Sequence, residues 1–347
     1  MKHLRGSTLQ RKIVLLGIGH TNAHVVKKWA TEPIAGCELI CISKFPTATY
    51  SGMLPGTLGK QFNDHEMRID LQALCDRAAA KLVLADTCGL NLSTGELLFS
   101  DHSPIAFDAL SIGVGSMPAG WLQQCRSPLT VPIKPMQTFL QRLDDRLSAV
   151  ESRQANRVRV AIVGGGVAGI EIAFCLQELY QKSSSNRSIE IAIFTSSRRV
   201  ADGMTNRSIL RIEDLLRKRG IQVHANHRVT LVQDDSLVTD DQTVHRCDCV
   251  IWATGAAAPP VLGKLGLPAD DSGFVATSNT LQSVADPRIF AVGDAGTIMS
   301  SPAPKAGVYA VRQCPVIWHN LRAYIENKPL KTFHPQKDFL KLLNTGD

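Results

Sequence analysis

Twice in one chain of 347 residues, a short apolar run ends in a glycine-rich turn and is followed by a helical pattern: "KIVLLGIGHTNAH" from Lys12 and "VRVAIVGGGVAGIEIA" from Val158. A buried parallel strand that turns sharply into a helix brings backbone N–H groups and a helix N-terminus against a pyrophosphate. Each copy is therefore a candidate dinucleotide site. Gly164, Gly166 and Gly169 complete the pattern. They provide, in order, the tight turn, the close approach of a phosphate and the close packing of helix on strand. The first copy has Gly17 and Gly19 but no third glycine. Asn22 or Ala23 stands in its place, and tight packing is expected there only if the small Ala23 faces the strand.

The stretch beyond each turn is also duplicated. Lys81 to Ser116 and Ile221 to Gly255 match element by element, each alternating apolar and polar residues between turn signals like a small β-meander returning to a sheet. Their ends, "GVGS" with Gly115 and "ATG" with Gly255, place small residues where the chain closes over a nucleotide. The expected fold is α/β: two Rossmann-like, three-layer dinucleotide-binding domains, the second inserted in the first, with a short incomplete C-terminal segment. The first domain is expected over 11–130 and 277–325, the second over 155–276, and the beginning of a truncated interface domain over 326–347. A Pro-punctuated turn and polar helix, "VPIKPMQTFLQRLDDRLSAVESRQANR", reads as the linker.

Composition narrows the function. The net charge of +7 is scattered, which gives no stripe for nucleic acid. No apolar leader follows the N-terminus, and no run of 18 apolar residues occurs, so the expected location is cytoplasmic, at most peripheral to the inner face of a membrane. Nine cysteines, with no CxxC and no CxxxxC after the first turn, fit a reducing compartment and suggest no metal site. They read as structural thiols, with Cys314 the exception left open.

Two such turns, joined by "RIFAVGDAG" from Arg288, are the pattern of a flavoprotein. Gly293 and Asp294 end a late strand, and the carboxylate can accept hydrogen bonds from sugar or ribityl hydroxyls or cap the next segment. The acid that usually binds an adenosine ribose after the second strand is replaced by Ser43 in the first half. In the second it is replaced by Thr195, Ser196 and Ser197, followed by Arg198 and Arg199. No acid and two arginines fit a 2′-phosphate and hence NADPH over NADH, the alternative being a solvated basic turn. Glu171, inside an apolar helix start, either contacts the nicotinamide or a domain-linking lysine, or sits there for its helix N-terminus. Lys134 and Lys305, in Pro-rich or apolar settings, are candidates to stabilise a reduced, anionic flavin, or are exposed lysines. The loop "KFPTATYSGMLPGTLG", with Ser51 and Pro55, has the composition of a site-lining segment.

On these residues the chain resembles the flavoprotein family of pyridine nucleotide oxidoreductases, nearer its type II NADH dehydrogenase-like branch than the disulfide reductases. "GHTNAHV", "YSGMLPG", "VPIKP", "PKAGVYAVRQ" and "FHPQKDFLKLLNTGD" are similar to the module fused ahead of selenide, water dikinase in some proteins. The resemblance covers the chain from Arg11 onward. It implies FAD in the first domain, with Gly17, Gly19, His20 and Thr21 at the pyrophosphate, Ser43 near the adenosine and Asp294 at the ribityl or phosphate. It also implies that Lys134, Lys305, Gly307 and Gln313 lie near the ring system, and that Ser43 in place of the acid is usual for this branch. NAD(P)H would dock at Gly164, Gly166 and Gly169 and pass hydride to the flavin, which would reduce a quinone or small electron carrier. No nucleic acid is expected as partner, and a homodimer is compatible. With no kinase-like stretch in the sequence, selenophosphate synthesis is not assigned to it, and the ending at Asp347 suggests a truncated form or altered membrane docking. The alternatives are a sulfide- or thiol-oxidising flavoprotein using a cysteine such as Cys314, and a slow redox-sensing flavin-binding protein.

Overall fold

The computed structural model describes residues 10–124, 127–151, 157–182 and 188–347. The charged leader, Cys125, part of the linker and the expected start of the second domain at 155 lie outside the described residues. In chain order the sheet strands are β1 (Arg11–Leu16), β2 (Cys37–Ser43), β3 (Lys81–Leu84), β4 (Ala109–Ile112), β5 (Thr130–Pro132), β6 (Arg157–Val163), β7 (Ser188–Thr195), β8 (Gln222–Ala225), β9 (Cys249–Trp252) and β10 (Ile289–Ala291). The main helices are α1 (His20–Trp29), α2 (Val167–Lys182), α3 (Asn206–Lys218) and α4 (Gly307–Ile325).

These elements form two units. The first comprises Met1–Thr49, Ile69–Ser116 and Ala257–Phe339, and the second Tyr50–Arg68, Met117–Ala256 and Leu340–Asp347. In the first, five parallel strands run in the order β10-β4-β1-β2-β3. The second repeats the plan as β5-β9-β6-β7-β8, again all parallel. The strand that carries each glycine turn is central. Because parallel strands are covered on both faces, the later parts of β1 (13–16) and β6 (160–163) are continuously apolar rather than alternating.

Each unit has three layers. In the first, one sheet face packs on α1 and α4 through Val25, Val26, Ile317 and Leu321. The other face is covered by an antiparallel meander, Thr87–Asn91, Glu96–Phe99 and Ile105–Ala106. In the second unit α2 and α3 bury Ile170, Phe174, Ile209 and Leu216 on one face. The meander Val229–Val232, Ser236–Thr239 and Val244–Arg246 covers the other. The α/β architecture and the duplication read from the sequence are both present.

The divisions fall differently from the expected ones. Residues 257–276 belong to the first unit, where Phe274 and Val275 are buried in its core. Residues 117–130 belong to the second. So does the loop at 50–68, whose Leu54, Leu58 and Met67 enter the second unit's core and whose Gly59 lies against Cys175. Residues 326–347 form no separate unit. Phe333 is buried in the first core, and its N–H donates to Asn279 O at 2.7 Å. The last eight residues fold onto the second unit, where Arg219 donates to Thr345 O and pairs with Asp347 at 2.9 Å.

Candidate functional site

Eleven of the residues singled out from the sequence lie in the first unit: Gly17, Gly19, His20, Thr21, Ser43, Gly115, Gly293, Asp294, Lys305, Gly307 and Gln313. The turn after β1 leaves no room for a side chain at Gly17 and little at Gly19. Gly17 has φ +77°, and a Cβ there would lie 2.8 Å from Val114 Cα, while one at Gly19 would lie 3.1 Å from Gly113 O. The Gly19 N-cap supplies no side-chain cap to α1, which leaves the helix N-terminus suited to an anion. Gly115, at φ +74°, faces open space.

The third-glycine position is filled by Asn22 and not by Ala23. Asn22 is fully buried, and its Nδ2 donates to Gly17 O at 2.8 Å and Ser111 O at 3.1 Å while its Oδ1 accepts the Ser111 hydroxyl at 2.7 Å. Of the two residues left open for this position it is Asn22 that faces the strand, because only a side chain with both donor and acceptor satisfies the turn carbonyl and the β4 hydroxyl together. This residue was visible in the sequence only as a missing glycine. Its polarity inside a buried helix start was the available signal.

The Gly293–Asp294 turn and α4 close the same region. Gln313 accepts the Gly293 N–H at 2.6 Å, Thr21 donates to Ala310 O at 2.8 Å, and Ser116 donates to Asp294 Oδ2 at 2.6 Å. Thus Thr21, Gly293, Asp294 and Gln313 are held in one bonded frame. Gly307 is the exposed first residue of α4, whose N-cap Ala306 also supplies no side-chain cap. Ser43 exchanges hydrogen bonds with the backbone of Phe45 at the end of β2. Lys305 is turned inward and lines a cavity with Asp294, Tyr309 and Gln313. Burial lowers its amine to about 8, against the raising pull of Asp270 and Asp294.

Cys314 is buried beside this frame, with Sγ 3.5 Å from Ala310 O and 4.0 Å from His20 O. Burial pushes its thiol up to about 11. The thiolate is therefore scarce at neutral pH, and a nucleophilic role for Cys314 has no support.

The other ten predicted residues lie in the second unit: Ser51, Pro55, Lys134, Gly164, Gly166, Gly169, Glu171, Thr195, Arg198 and Gly255. Lys134 and Lys305 thus belong to different units. Pro55 is buried in the short helix Leu54–Leu58, whose leucines join the second core. In the turn after β6, a Cβ at Gly164 would lie 2.1 Å from Ala253 O, and one at Gly169 only 2.0 Å from Gly164 O. Gly166 is exposed and faces open space, as does Gly255.

Thr195 is buried and its Oγ1 accepts the Ser197 N–H at 3.2 Å. Of the two arginines behind it, Arg199 makes a bidentate pair with Glu213 at 2.9 and 2.6 Å, and this holds the Glu213 carboxyl below its ordinary range. Arg198 is exposed. The two-arginine reading reduces to one. Glu171 accepts the Asn344 N–H at 2.9 Å, and burial raises its carboxyl above the usual range. It serves the folded C-terminal stretch, a role the sequence did not suggest.

Two matched turns of this kind define a two-dinucleotide α/β oxidoreductase fold. The chain belongs to the pyridine nucleotide-disulphide oxidoreductase family, whose model matches residues 11–313. It is 28% identical over 192 residues to the type II NADH:quinone oxidoreductase of Haemophilus influenzae, a match covering 51% of this chain and 43% of that relative. It is 22% identical over 303 residues to the NADH dehydrogenase-like protein YutJ of Bacillus subtilis, covering 84% of this chain and 79% of that one. Among solved structures it is similar to the sulfide:quinone oxidoreductase of Aquifex aeolicus, with TM-score 0.76 and 16% identity over 92% of this chain and 78% of that chain. The chain thus matches less than half the length of the Haemophilus relative. Among the described residues no helix is long and apolar enough to cross a membrane.

Proposed function

We propose that the chain is an FAD-dependent oxidoreductase that takes hydride from NAD(P)H and passes the electrons to a quinone or another small acceptor. The observation that carries this reading is the pair of matched sheets, each with a glycine turn on its central strand and a small-residue strand end beside it. Both turns fit a pyrophosphate: Gly17 and Gly19 leave an uncapped helix terminus, and Gly166 leaves open space where a phosphate would approach. Bound FAD supplies acceptance of a hydride and its release as electrons.

The first unit would hold FAD, with Gly17, Gly19, His20 and Thr21 at the pyrophosphate, Ser43 and Gly115 toward the adenosine, and Gly293 and Asp294 at the ribityl chain. Gln313 braces the Gly293 N–H and so fixes the turn that presents Asp294. Lys305 and the N-terminus of α4 at Gly307 offer positive charge to the ring system. The second unit would hold NAD(P)H, with Gly164, Gly166 and Gly169 at the pyrophosphate, Thr195 and Arg198 at the adenosine ribose and Gly255 beside the nicotinamide arm. Arg198 is the remaining cation for a 2′-phosphate, which supports NADPH over NADH. Glu171 and Pro55 stand outside this assignment as supports of the second unit, and Lys134 and Ser51 are given no role within it.

Relatives named as NADH:quinone oxidoreductase and NADH dehydrogenase-like protein support the direction of electron flow. The sulfide-oxidising alternative is weaker, since its candidate Cys314 is buried with a raised pKa. Contact with a membrane, peripheral at most, and a homodimer complete the proposal, and vesicle flotation and sedimentation test them. The deciding experiment is an anaerobic absorption spectrum of the purified protein before and after one equivalent of NADPH or NADH. Flavin bands bleached by either donor support both sites. A colourless protein that takes up no added FAD overturns the reading.

A further inference from the structure

Behind Lys305 stand two residues that no sequence motif marks. Lys305 Nζ donates to Gly296 O at 2.6 Å and to Thr297 Oγ1 at 2.8 Å, and it lies 4.0 Å from the centroid of the Phe274 ring. Thr297 donates its single hydroxyl hydrogen to Asp270 Oδ2 at 2.6 Å. With that hydrogen committed, Thr297 faces Lys305 as an acceptor, so the bonds run in one direction from Lys305 through Thr297 to Asp270. Asp270 is itself fixed, its Oδ1 accepting the N–H groups of Ser272 at 2.9 Å and Phe274 at 3.0 Å. Thr297 is fixed by its strand, Gly296–Ile298, which pairs in parallel with Val275–Thr277.

The chain of bonds ends at the cavity wall that Lys305 shares with Asp294 and Gln313. We propose that Asp270 and Thr297 are positioning residues that hold the Lys305 side chain in one place and in its charged form at that wall, where a fixed cation offsets negative charge arriving with electrons. The proposal rests on the reading of this cavity as part of the flavin site. Its physical basis is a balance. Burial drives the amine toward neutrality at about 8, and the groups that pull the other way are the carboxylates of Asp270 and Asp294. An ammonium tied to a neutral carbonyl and an aromatic face alone would be poorly compensated for the water it has lost. The carboxylate two bonds away supplies the missing charge, and the hydroxyl between them relays it without letting the two ions collapse together.

The test reads the amine directly. The purified protein is treated with trace isotope-labelled acetic anhydride at several pH values, and acylation of Lys305 is followed by peptide mass spectrometry with flavin content recorded on the same samples. The wild-type protein should titrate near 8. Asp270→Asn removes the supporting charge, so the midpoint falls and acylation at pH 7 rises about fivefold, the change expected from loss of one nearby opposite charge. Thr297→Val should move the midpoint the same way, and Thr297→Ser should restore it. An Asp270→Asn midpoint equal to wild type, or Thr297→Val indistinguishable from Thr297→Ser, overturns the proposal. Should Asp270→Asn fail to fold, the Thr297 pair still decides. Because the readout is the amine itself, shifted midpoints in a protein that binds no flavin would uphold the positioning role while removing the redox reading of the cavity.

Discussion

The two glycine turns solve one problem with different chemistry. Residue for residue, Gly17, Gly19, Asn22 and His24 in the first unit correspond to Gly164, Gly166, Gly169 and Glu171 in the second, because α1 and α2 begin at the same point of the motif. In the second unit the helix comes so close to the turn that a Cβ at Gly169 would lie 2.0 Å from Gly164 O. In the first, the equivalent carbonyl of Gly17 is met by the Asn22 amide at 2.8 Å. A missing side chain lets backbone approach backbone, whereas a present one must carry a hydrogen bond to the group it displaces. The missing third glycine is therefore a substitution of mechanism and not a decayed motif.

The largest expected effect breaks the second solution. Gly169→Ala puts a methyl against backbone that cannot swing aside, and should cost roughly 3 kcal/mol or more, removing pyridine nucleotide binding while leaving flavin content unchanged. Denaturant unfolding with a flavin assay checks it, and a fully stable, NAD(P)H-binding variant would show that the close approach is not required.

Next comes the first solution. Asn22→Ala deletes two donated bonds and strands the buried Ser111 hydroxyl, at a cost of about 1–3 kcal/mol, and here flavin retention is the property lost. Asn22→Ala with Ser111→Ala should recover part of that loss, since the stranded polar group is gone. Equal stability of the single and double variants would break the account.

A smaller effect separates Arg198 from Arg199. Arg198→Ala should lower kcat/KM for NADPH about tenfold, the worth of one charge-assisted hydrogen bond, and leave NADH unchanged. Arg199→Ala frees Glu213 and should weaken both donors alike, because its guanidinium is already committed. Equal loss for NADPH and NADH in Arg198→Ala would remove the case for a 2′-phosphate site.

The duplication, the layers and the glycine turns were legible because each is local: apolar runs of strand length, left-handed glycines and turn signals recur at matched spacing. Asn22 and Asp270 were not, since their partners, Ser111 and Thr297, lie 89 and 27 residues away. The unit boundaries were also hidden. The segment 44–59 has the composition of a site-lining loop, but composition does not say which core its Leu54 and Leu58 will enter. Glu171 was legible as unusual and opaque in purpose, because the group it binds is 173 residues along the chain.

The smallest expected effect lies at the next matched pair, and it has opposite sign in the two units. His24 on α1 has its pKa lowered by burial and by Lys28 and Lys27. Its folded form favours the neutral ring, so its contribution is present above the ordinary histidine range and is lost as pH falls through the lowered value. Glu171 on α2 has its pKa raised by burial, partly offset by the Asn344 N–H. The fold favours the protonated acid, so its contribution is complete below the ordinary carboxylate range and is lost as pH rises through the raised value. Glu171→Gln keeps an acceptor for Asn344 without a charge to bury, and should raise the melting temperature at pH 7 by about 1–2 °C while changing little at pH 4. His24→Gln should instead lessen the loss of stability below pH 6 and leave pH 8 unaltered. Calorimetric scans of both variants across that range give the comparison. A Glu171→Gln protein less stable than wild type at pH 7 would mean that the ionised carboxylate, and not merely an acceptor, holds the C-terminal stretch against α2.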